Sequence, residues 1–176
     1  LSQAEHDVLA EVICVSTASE ISKKISEEID KQLEKLPRKD IARKAMKNSR
    51  LIIAKSREMI VDIINNYSPE HLILQIKNPD HLVPAIRNAG SIFLGPWSPE
   101  AVGDYASGTN HTLPTNGAAK SYSGITIESF LKYISIQKLS KKGLELLAPT
   151  VNCLAEMKGL EAHKRSVTIR LDTNNG

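Results

Sequence analysis

Residues 72–95, with the sequence LILQIKNPDHLVPAIRNAGSIFLG, contain the pattern that decides the fold class. Two short apolar runs, residues 72–76 and 91–94, have the length and composition of buried β-strands. Residues 80–88 between them predict a helix that is kinked by the internal Pro84. Because the two strands are joined through a helical segment, we predict that they run parallel in one sheet.

The same alternation extends towards the amino end of the chain. Apolar runs at residues 12–17 and 51–54 predict two more strands. Apolar residues spaced three or four apart predict a helix from Ser19, as its N-cap, to a stop at Pro37, and shorter helices follow at 41–47 and 57–65. We therefore predict the α/β class, with a partial, doubly wound, mostly parallel sheet (an incomplete Rossmann-like domain). Helices should cover both faces of this sheet, and ligands should lie beyond the carboxyl ends of its strands.

The carboxyl-terminal part of the chain has a different pattern. Residues 127–136 are ambiguous, residues 140–158 predict a helix interrupted near Pro149, and residues 163–171 predict a short terminal element. We place a domain boundary near Gly124. Residues 1–124 would then form the α/β domain, and residues 125–176 a small, mainly helical extension.

The composition limits the classes of partner. The 176 residues are 41% hydrophobic and 24% charged, which is typical of a globular chain with one sizeable core. The net charge of +3 is small, and the Lys- and Arg-rich residues 35–57 contain no aromatic side chain, so we expect no nucleic acid. No apolar run reaches the roughly 18 residues of a membrane-spanning helix, so we expect no membrane.

The two cysteines, Cys14 and Cys153, lie far apart in the sequence among apolar neighbours. This pattern predicts buried thiols rather than a disulfide, and therefore a reducing compartment. We expect the cytoplasm, or a plastid if the source is a plant.

Residues 95–117, GPWSPEAVGDYASGTNHTLPTNG, follow the last predicted strand and are too polar for a packed helix or strand. Four glycines and three prolines predict one long loop, and loops of this length inside a domain are usually functional or disordered. The prolines, Trp97 and Tyr105 argue against disorder. We interpret the segment as an ordered site loop to which Asp104 and His111 contribute titratable side chains.

Other candidate site residues stand in short clusters. Residues 2–5, SQAE, have the pattern of a capping box, which would start a helix with Gln3 and His6 on one face. Glu70 and His71 directly precede a predicted strand and could supply two acid/base groups. His163 precedes the terminal basic residues. Taken alone, each of these residues is more often structural than functional.

Four strings in this order resemble the histidinol dehydrogenase family. They are SQAEHD at residues 2–7, PEHL at 69–72, the segment at 95–117 and GLEAHK at 159–164. The resemblance covers essentially the whole chain, which is similar to the carboxyl-terminal part of that enzyme. It implies oxidation of L-histidinol through L-histidinal to L-histidine, the last steps of histidine biosynthesis, with zinc and NAD as cofactors.

The resemblance also implies roles for individual residues. His71 matches the base that takes the alcohol proton, and Glu70 matches the residue that activates water for the second oxidation. The implied zinc ligands are Gln3, His6, Asp104 and His163, and the implied substrate contacts are Gln3, His6, His71, Asp104, Lys158 and His163. Residues 1–124 would be the second half of the catalytic domain, with the zinc and substrate site. Residues 125–176 would be a dimer-forming tail whose His163 completes the site of the partner subunit in a homodimer.

Two departures from the family pattern affect these expectations. Lys158 stands where the family usually has a substrate-contacting glutamate, and a lysine there would repel the ammonium group of histidinol. No Gly-x-Gly-x-x-Gly motif occurs, so we expect the NAD site on an upstream region and no turnover by the isolated chain. The alternative function is a non-catalytic, truncated zinc-binding or dimerisation module that lacks the NAD domain. A metal-dependent hydrolase with Glu70 as its base is a less favoured third possibility.

Overall fold

The computed structural model describes residues 1–172 of the chain. The chain divides into two compact units on either side of the Phe130–Leu131 bond, Leu1–Phe130 and a second unit that begins at Leu131. The division lies beyond Gly124 because the next residue, Ile125, is bound to the segment 95–117. The N–H of Ile125 donates to the Thr112 carbonyl (3.1 Å), and the Asn110 side-chain amide donates to the Ile125 carbonyl. The functional assignment of the two predicted domains stays a prediction.

The first unit contains two pairs of parallel strands. Strand β1 (Ile13–Ser16) pairs with β2 (Arg50–Ile53), with Ile13 opposite Arg50. Strand β3 (His71–Leu74) pairs with β4 (Ser91–Leu94), with His71 opposite Ser91. The predicted α/β class and parallel pairing are confirmed, although within residues 1–172 the strands form two separate pairs rather than one continuous sheet.

Helices of the first unit precede or follow these strands. They are α1 (Ser19–Leu33), α2 (Lys39–Met46) and α3 (Arg57–Tyr67). The predicted boundaries of α1 were wrong at both ends: Ala18, not Ser19, is the N-cap, and the helix ends at Leu33, before Pro37. Helix α3 has a side-chain cap, because the Ser56 hydroxyl accepts a hydrogen bond from the Met59 N–H at 3.2 Å.

Three other local predictions were wrong. Residues 80–88 do not form a kinked helix but two 3₁₀ turns, Pro79–His81 and Val83–Ala85, because Pro84 lacks an N–H and its ring would clash with the carbonyl one turn earlier in an α-helix. The segment 95–117 is not all loop, since α4 (Glu100–Tyr105) begins directly after Pro99. The predicted capping box is a short 3₁₀ helix, Gln3–Glu5, without a side-chain cap from Ser2.

The second unit contains two helices that pack on each other, α5 (Lys141–Met157) and α6 (Glu161–Asp172). Helix α5 continues through Pro149, so the predicted interruption was wrong. The Ser140 hydroxyl caps it by accepting the Gly143 N–H at 3.1 Å. Helix packing along α5 offsets the single backbone hydrogen bond that a proline removes. Before α5, the structure has a 3₁₀ turn at Ile127–Phe130, in the first unit, within the segment whose pattern was ambiguous.

The two faces of the β3–β4 pair carry different residues. Leu72, Leu74, Ile92 and Leu94 form the core face, which packs with Ile64 of α3 and with Leu82 in one apolar cluster. His71, Ile73, Ser91 and Phe93 alternate with them and form the His71 face. A second apolar cluster of Ala4, Leu33, Ala42 and Ala45 joins the amino-terminal turn to α1 and α2.

The cysteines are both free thiols. Cys14 is half-buried on β1, and its burial raises the pKa of its thiol. Cys153 is exposed on α5, so the prediction of a buried thiol was wrong for this residue; it occupies the outward side of a helix whose buried residues are Ala148 and Ala155. Among residues 1–172, the structure contains no helix long and apolar enough to cross a membrane.

Candidate active site

The candidate site lies on the His71 face. His71 is the first residue of β3, and its imidazole stacks on the Phe93 ring, with ring centroids 6.1 Å apart and an angle of 30° between the planes. The side chain of His71 is 17% exposed, whereas Phe93 is buried. The alternation of β3 and β4 therefore places the imidazole on the face opposite the apolar core.

Helix α4 packs over the same face. A Cβ atom on Gly103 would lie 2.5 Å from a Phe93 ring carbon and 2.8 Å from the Thr109 hydroxyl, so the helix backbone approaches the ring as closely as glycine allows. The Thr109 hydroxyl also donates to the Gly103 carbonyl at 3.1 Å. The segment after β4 thus folds back over the strand pair. The site lies on a face of the pair, and not beyond the carboxyl ends of the strands as the sequence predicted.

This packing brings Asp104 close to His71. An Asp104 carboxylate oxygen lies 3.9 Å from His71 Nε2 and 3.3 Å from His111 Nδ1. The Asp104 side chain is 5% exposed, whereas that of His111 is 67% exposed. Two of the histidines singled out in the sequence, His71 and His111, therefore meet at the Asp104 carboxylate.

Glu100 completes the cluster from one turn earlier in α4. It is buried, and its carboxyl group shares a hydrogen bond with Asp104. Burial, followed by this hydrogen bond and the Asp104 charge, raises the pKa of Glu100. The hydrogen bond from Glu100 and the nearby His111 lower the pKa of Asp104. The two shifts share one cause, the hydrogen bond between the two carboxyl groups, which favours the proton on Glu100 and the negative charge on Asp104.

The donor set at this position suits a divalent cation. His71, Glu100 and Asp104 each place one potential ligand atom within 4.8 Å of the others. His71 Nε2 is buried and has no hydrogen-bond partner within residues 1–172. Mixed carboxylate oxygen and imidazole nitrogen donors are compatible with zinc and related ions.

The remaining predicted residues of the first unit are Gln3, His6 and Glu70. Gln3 and His6 share one turn at the amino end, where the His6 N–H donates to the Gln3 carbonyl at 3.3 Å. His6 is exposed, and its charge acts on Glu100, in the direction that lowers the pKa of that carboxyl. Glu70 is half-buried next to His71, and its carbonyl accepts the Ser91 N–H at 2.9 Å.

Lys158 and His163 belong to the second unit. Lys158 is the exposed C-cap residue of α5, and His163 is exposed near the start of α6. Their assignments as a substrate contact and a zinc ligand stay predictions.

Comparison with known proteins assigns the family. A sequence model described as histidinol dehydrogenase matches residues 1–171. The chain belongs to the histidinol dehydrogenase family. It is 52% identical over 172 residues to the histidinol dehydrogenase of Vibrio cholerae, covering 98% of this chain and 40% of that protein. The histidinol dehydrogenase of Bacteroides thetaiotaomicron is 44% identical over 173 residues, again covering 98% of this chain and 40% of the relative.

The fold agrees with this assignment. The crystal structure of histidinol dehydrogenase from Elizabethkingia anophelis matches with a TM-score of 0.93 and 46% identity, covering 99% of this chain and 40% of that one. The chain thus spans about 40% of the length of the histidinol dehydrogenases that it matches.

The residues predicted from the sequence did not include Glu100 and Phe93. Glu100 lies four positions before Asp104, so the two share a helix face once residues 100–105 are recognised as helical. Pro99 followed by an acidic residue was the available signal for that helix start. For Phe93, the signal was the period-two alternation that places it on the face of His71.

Proposed function

We propose that this chain forms the metal-binding and substrate-binding part of a histidinol dehydrogenase that oxidises L-histidinol through L-histidinal to L-histidine. The observation that carries the proposal is the buried Nε2 of His71, which has no hydrogen-bond partner among residues 1–172 and lies 3.9 Å from the Asp104 carboxylate. A nitrogen without a partner is free to take a proton from a substrate hydroxyl, and the carboxylate lies where it can stabilise the resulting positive charge.

His71 and Glu70 are proposed to serve the two oxidations in turn. In the first, His71 accepts the proton of the alcohol as hydride leaves the same carbon. In the second, Glu70 accepts a proton from the water that adds to the aldehyde. Glu70 directly precedes His71 at the start of β3 and is half-buried, so the two residues lie at the same end of the strand.

The proposed zinc ligands are Gln3, His6, Asp104 and His163. When bound, zinc would hold the substrate nitrogens, and NAD would accept the hydride. The turn that carries Gln3 and His6, and the Asp104 carboxylate with its lowered pKa, support the first three ligands. His163 is proposed to act in the site of the partner subunit of a homodimer.

Zinc content tests the metal site directly. We expect the wild-type chain to bind zinc stoichiometrically, and the variants His6→Ala and Asp104→Ala to lose it, as measured by elemental analysis after dialysis. His81→Ala is the matched control, because His81 is an exposed histidine in a separate turn. Zinc retained by both His6→Ala and Asp104→Ala would contradict the proposed ligand set.

Lys158 is proposed to weaken the binding of histidinol. A lysine ammonium repels the cationic substrate, and in a longer protein that contains the NAD region, Lys158→Glu should lower KM for histidinol with little change in kcat. Lys142→Glu, an exposed lysine near the start of α5, is the control for a change in net charge. An unchanged KM in the Lys158→Glu variant would refute this role.

A non-catalytic zinc-binding or dimerisation module is the second candidate function. The absence of Gly-x-Gly-x-x-Gly from the 176 residues favours it. The module function is supported if the chain alone binds zinc through His6 and Asp104 but forms no NADH from histidinol and NAD. NADH formation by the chain alone would support the complete enzyme function.

A further inference from the structure

The imidazole of His71 needs a support other than a hydrogen bond at Nε2. That nitrogen is buried and has no partner within residues 1–172. The nearest charged oxygen, on Asp104, is 3.9 Å away and therefore beyond hydrogen-bonding distance. A base left unpartnered at this atom keeps its lone pair for a substrate proton, and no hydrogen bond at Nε2 fixes the orientation of its ring.

Phe93 supplies a packing contact of this kind. Its ring lies 6.1 Å from the imidazole, centroid to centroid, within the range of about 4.5–7 Å typical of interacting aromatic rings. Phe93 is 6% exposed, so its ring is itself held by the surrounding protein. It stands on β4, while His71 stands on β3, and the strand ladder fixes their backbones relative to each other.

Phe93 also contacts the helix that carries Asp104. Two of its ring carbons would lie 2.5 and 3.0 Å from a Cβ atom at Gly103, the residue directly before Asp104. Position 103 therefore accommodates glycine, because the Phe93 ring occupies the space that a side chain would need. The same ring thus touches the imidazole and limits how closely α4 approaches the strands.

We propose that Phe93 is a positioning residue for His71. Its ring orients the imidazole and, through its contact with Gly103, sets the separation between His71 and Asp104. The role as support for a catalytic base rests on the proposed function, whereas the positioning itself is a property of this chain alone. Gly103 contributes to this positioning because any side chain there would displace the Phe93 ring.

Nuclear magnetic resonance of the imidazole protons tests the proposal on the 176-residue chain. The His71 signals are identified among the five histidines by their loss in His71→Gln. We expect them to be shifted upfield by the Phe93 ring in the wild type. Phe93→Leu should abolish the shift, and Gly103→Ala should alter it although the ring is retained. The controls are Phe130→Leu, the exposed second phenylalanine, and Gly143→Ala, a helical glycine of the second unit.

The outcomes separate positioning from general stability. If Phe93→Leu and Gly103→Ala lower the free energy of unfolding while the His71 signals keep their wild-type positions, Phe93 is only a core residue and the proposal fails. If Phe93→Leu does not fold, Gly103→Ala decides the question by the same signals. Failure of zinc or histidinol binding would overturn the proposed function, but it would leave the His71 signals, and hence the positioning result, unchanged.

Discussion

The two faces of the β3–β4 pair differ in how they are made. The core face packs with α3, and all four of its strand residues are aliphatic. The His71 face carries a histidine, a serine, an isoleucine and an aromatic ring, and is met by α4 from the segment after β4. One strand pair therefore serves stability on one side and the candidate chemistry on the other.

This difference shows that the candidate site forms only when a later segment of the chain folds back onto the strand pair. The core face is specified locally, because alternation in two short strands is enough to create an apolar surface. The His71 face becomes a site only when residues 100–104 fold back and bring two carboxyl groups to it. Substitutions on the two faces should therefore separate stability from binding.

The largest expected effect on stability is on the core face. Leu74 is 4% exposed, and Leu74→Ala should lower the free energy of unfolding by about 2–5 kcal/mol, because it removes a buried side chain and leaves a cavity. His71→Asn, on the opposite face, should lower it much less. Urea denaturation of both variants measures the difference. Equal losses would mean that the His71 face also belongs to the stabilising core.

A smaller effect on stability is expected at Gly90, the residue directly before β4. A Cβ atom on Gly90 would lie 2.5 Å from the Glu70 carbonyl oxygen, which is backbone and cannot rotate away. Gly90→Ala should cost about 1–3 kcal/mol by forcing apart the start of β3 and β4. It should also displace Glu70 and His71, because both residues lie at that end of β3. Gly143→Ala is the control, because a Cβ atom there would meet only a serine hydroxyl and a leucine methyl group. If Gly90→Ala lowers the free energy of unfolding no more than this control, the expected clash at Gly90 is wrong.

The sequence predicts strand β4 better than the segment that precedes it, for a physical reason. Residues 91–94 were predicted as a strand with the bounds that β4 has, because a short apolar run between polar segments has few alternatives. Residues 80–88 were mispredicted because their apolar spacing suits a helix, while Pro84 decides the backbone. Local pattern thus succeeds where no special residue competes with it.

The candidate site was foreseen only in part. The resemblance selected Asp104 and His71 as site residues, and the structure brings them together. The roles of Phe93 and Glu100 depend on how closely α4 approaches the strands, which no spacing in the sequence encodes. Treating residues 95–117 as one loop concealed the helix that aligns Glu100 with Asp104.

The smallest expected effect concerns the pH dependence of stability on the His71 face. The folded-state pKa of Glu100 is raised above its ordinary value of 4.5, first by burial and then by Asp104. A carboxyl group with a raised pKa contributes stability that is complete below its unfolded-state pKa and is lost as pH rises through the folded-state pKa. Glutamine does not titrate. The difference in unfolding free energy between Glu100→Gln and the wild type should therefore move in favour of the variant from acidic to neutral pH.

The ionisation of Asp104 should change the unfolding free energy in the opposite direction as pH rises, and to a similar extent in the wild type and in Glu100→Gln. Its pKa is lowered, so its contribution is present above its ordinary value of 3.8 and is lost as pH falls through the folded-state pKa. A glutamine amide at position 100 can still donate to Asp104, so this contribution largely cancels in the comparison. Urea denaturation at a series of pH values gives the slope, with Glu27→Gln, an exposed residue of α1, as the control. A Glu100→Gln slope equal to that control would show that Glu100 is not held in its protonated form by the fold.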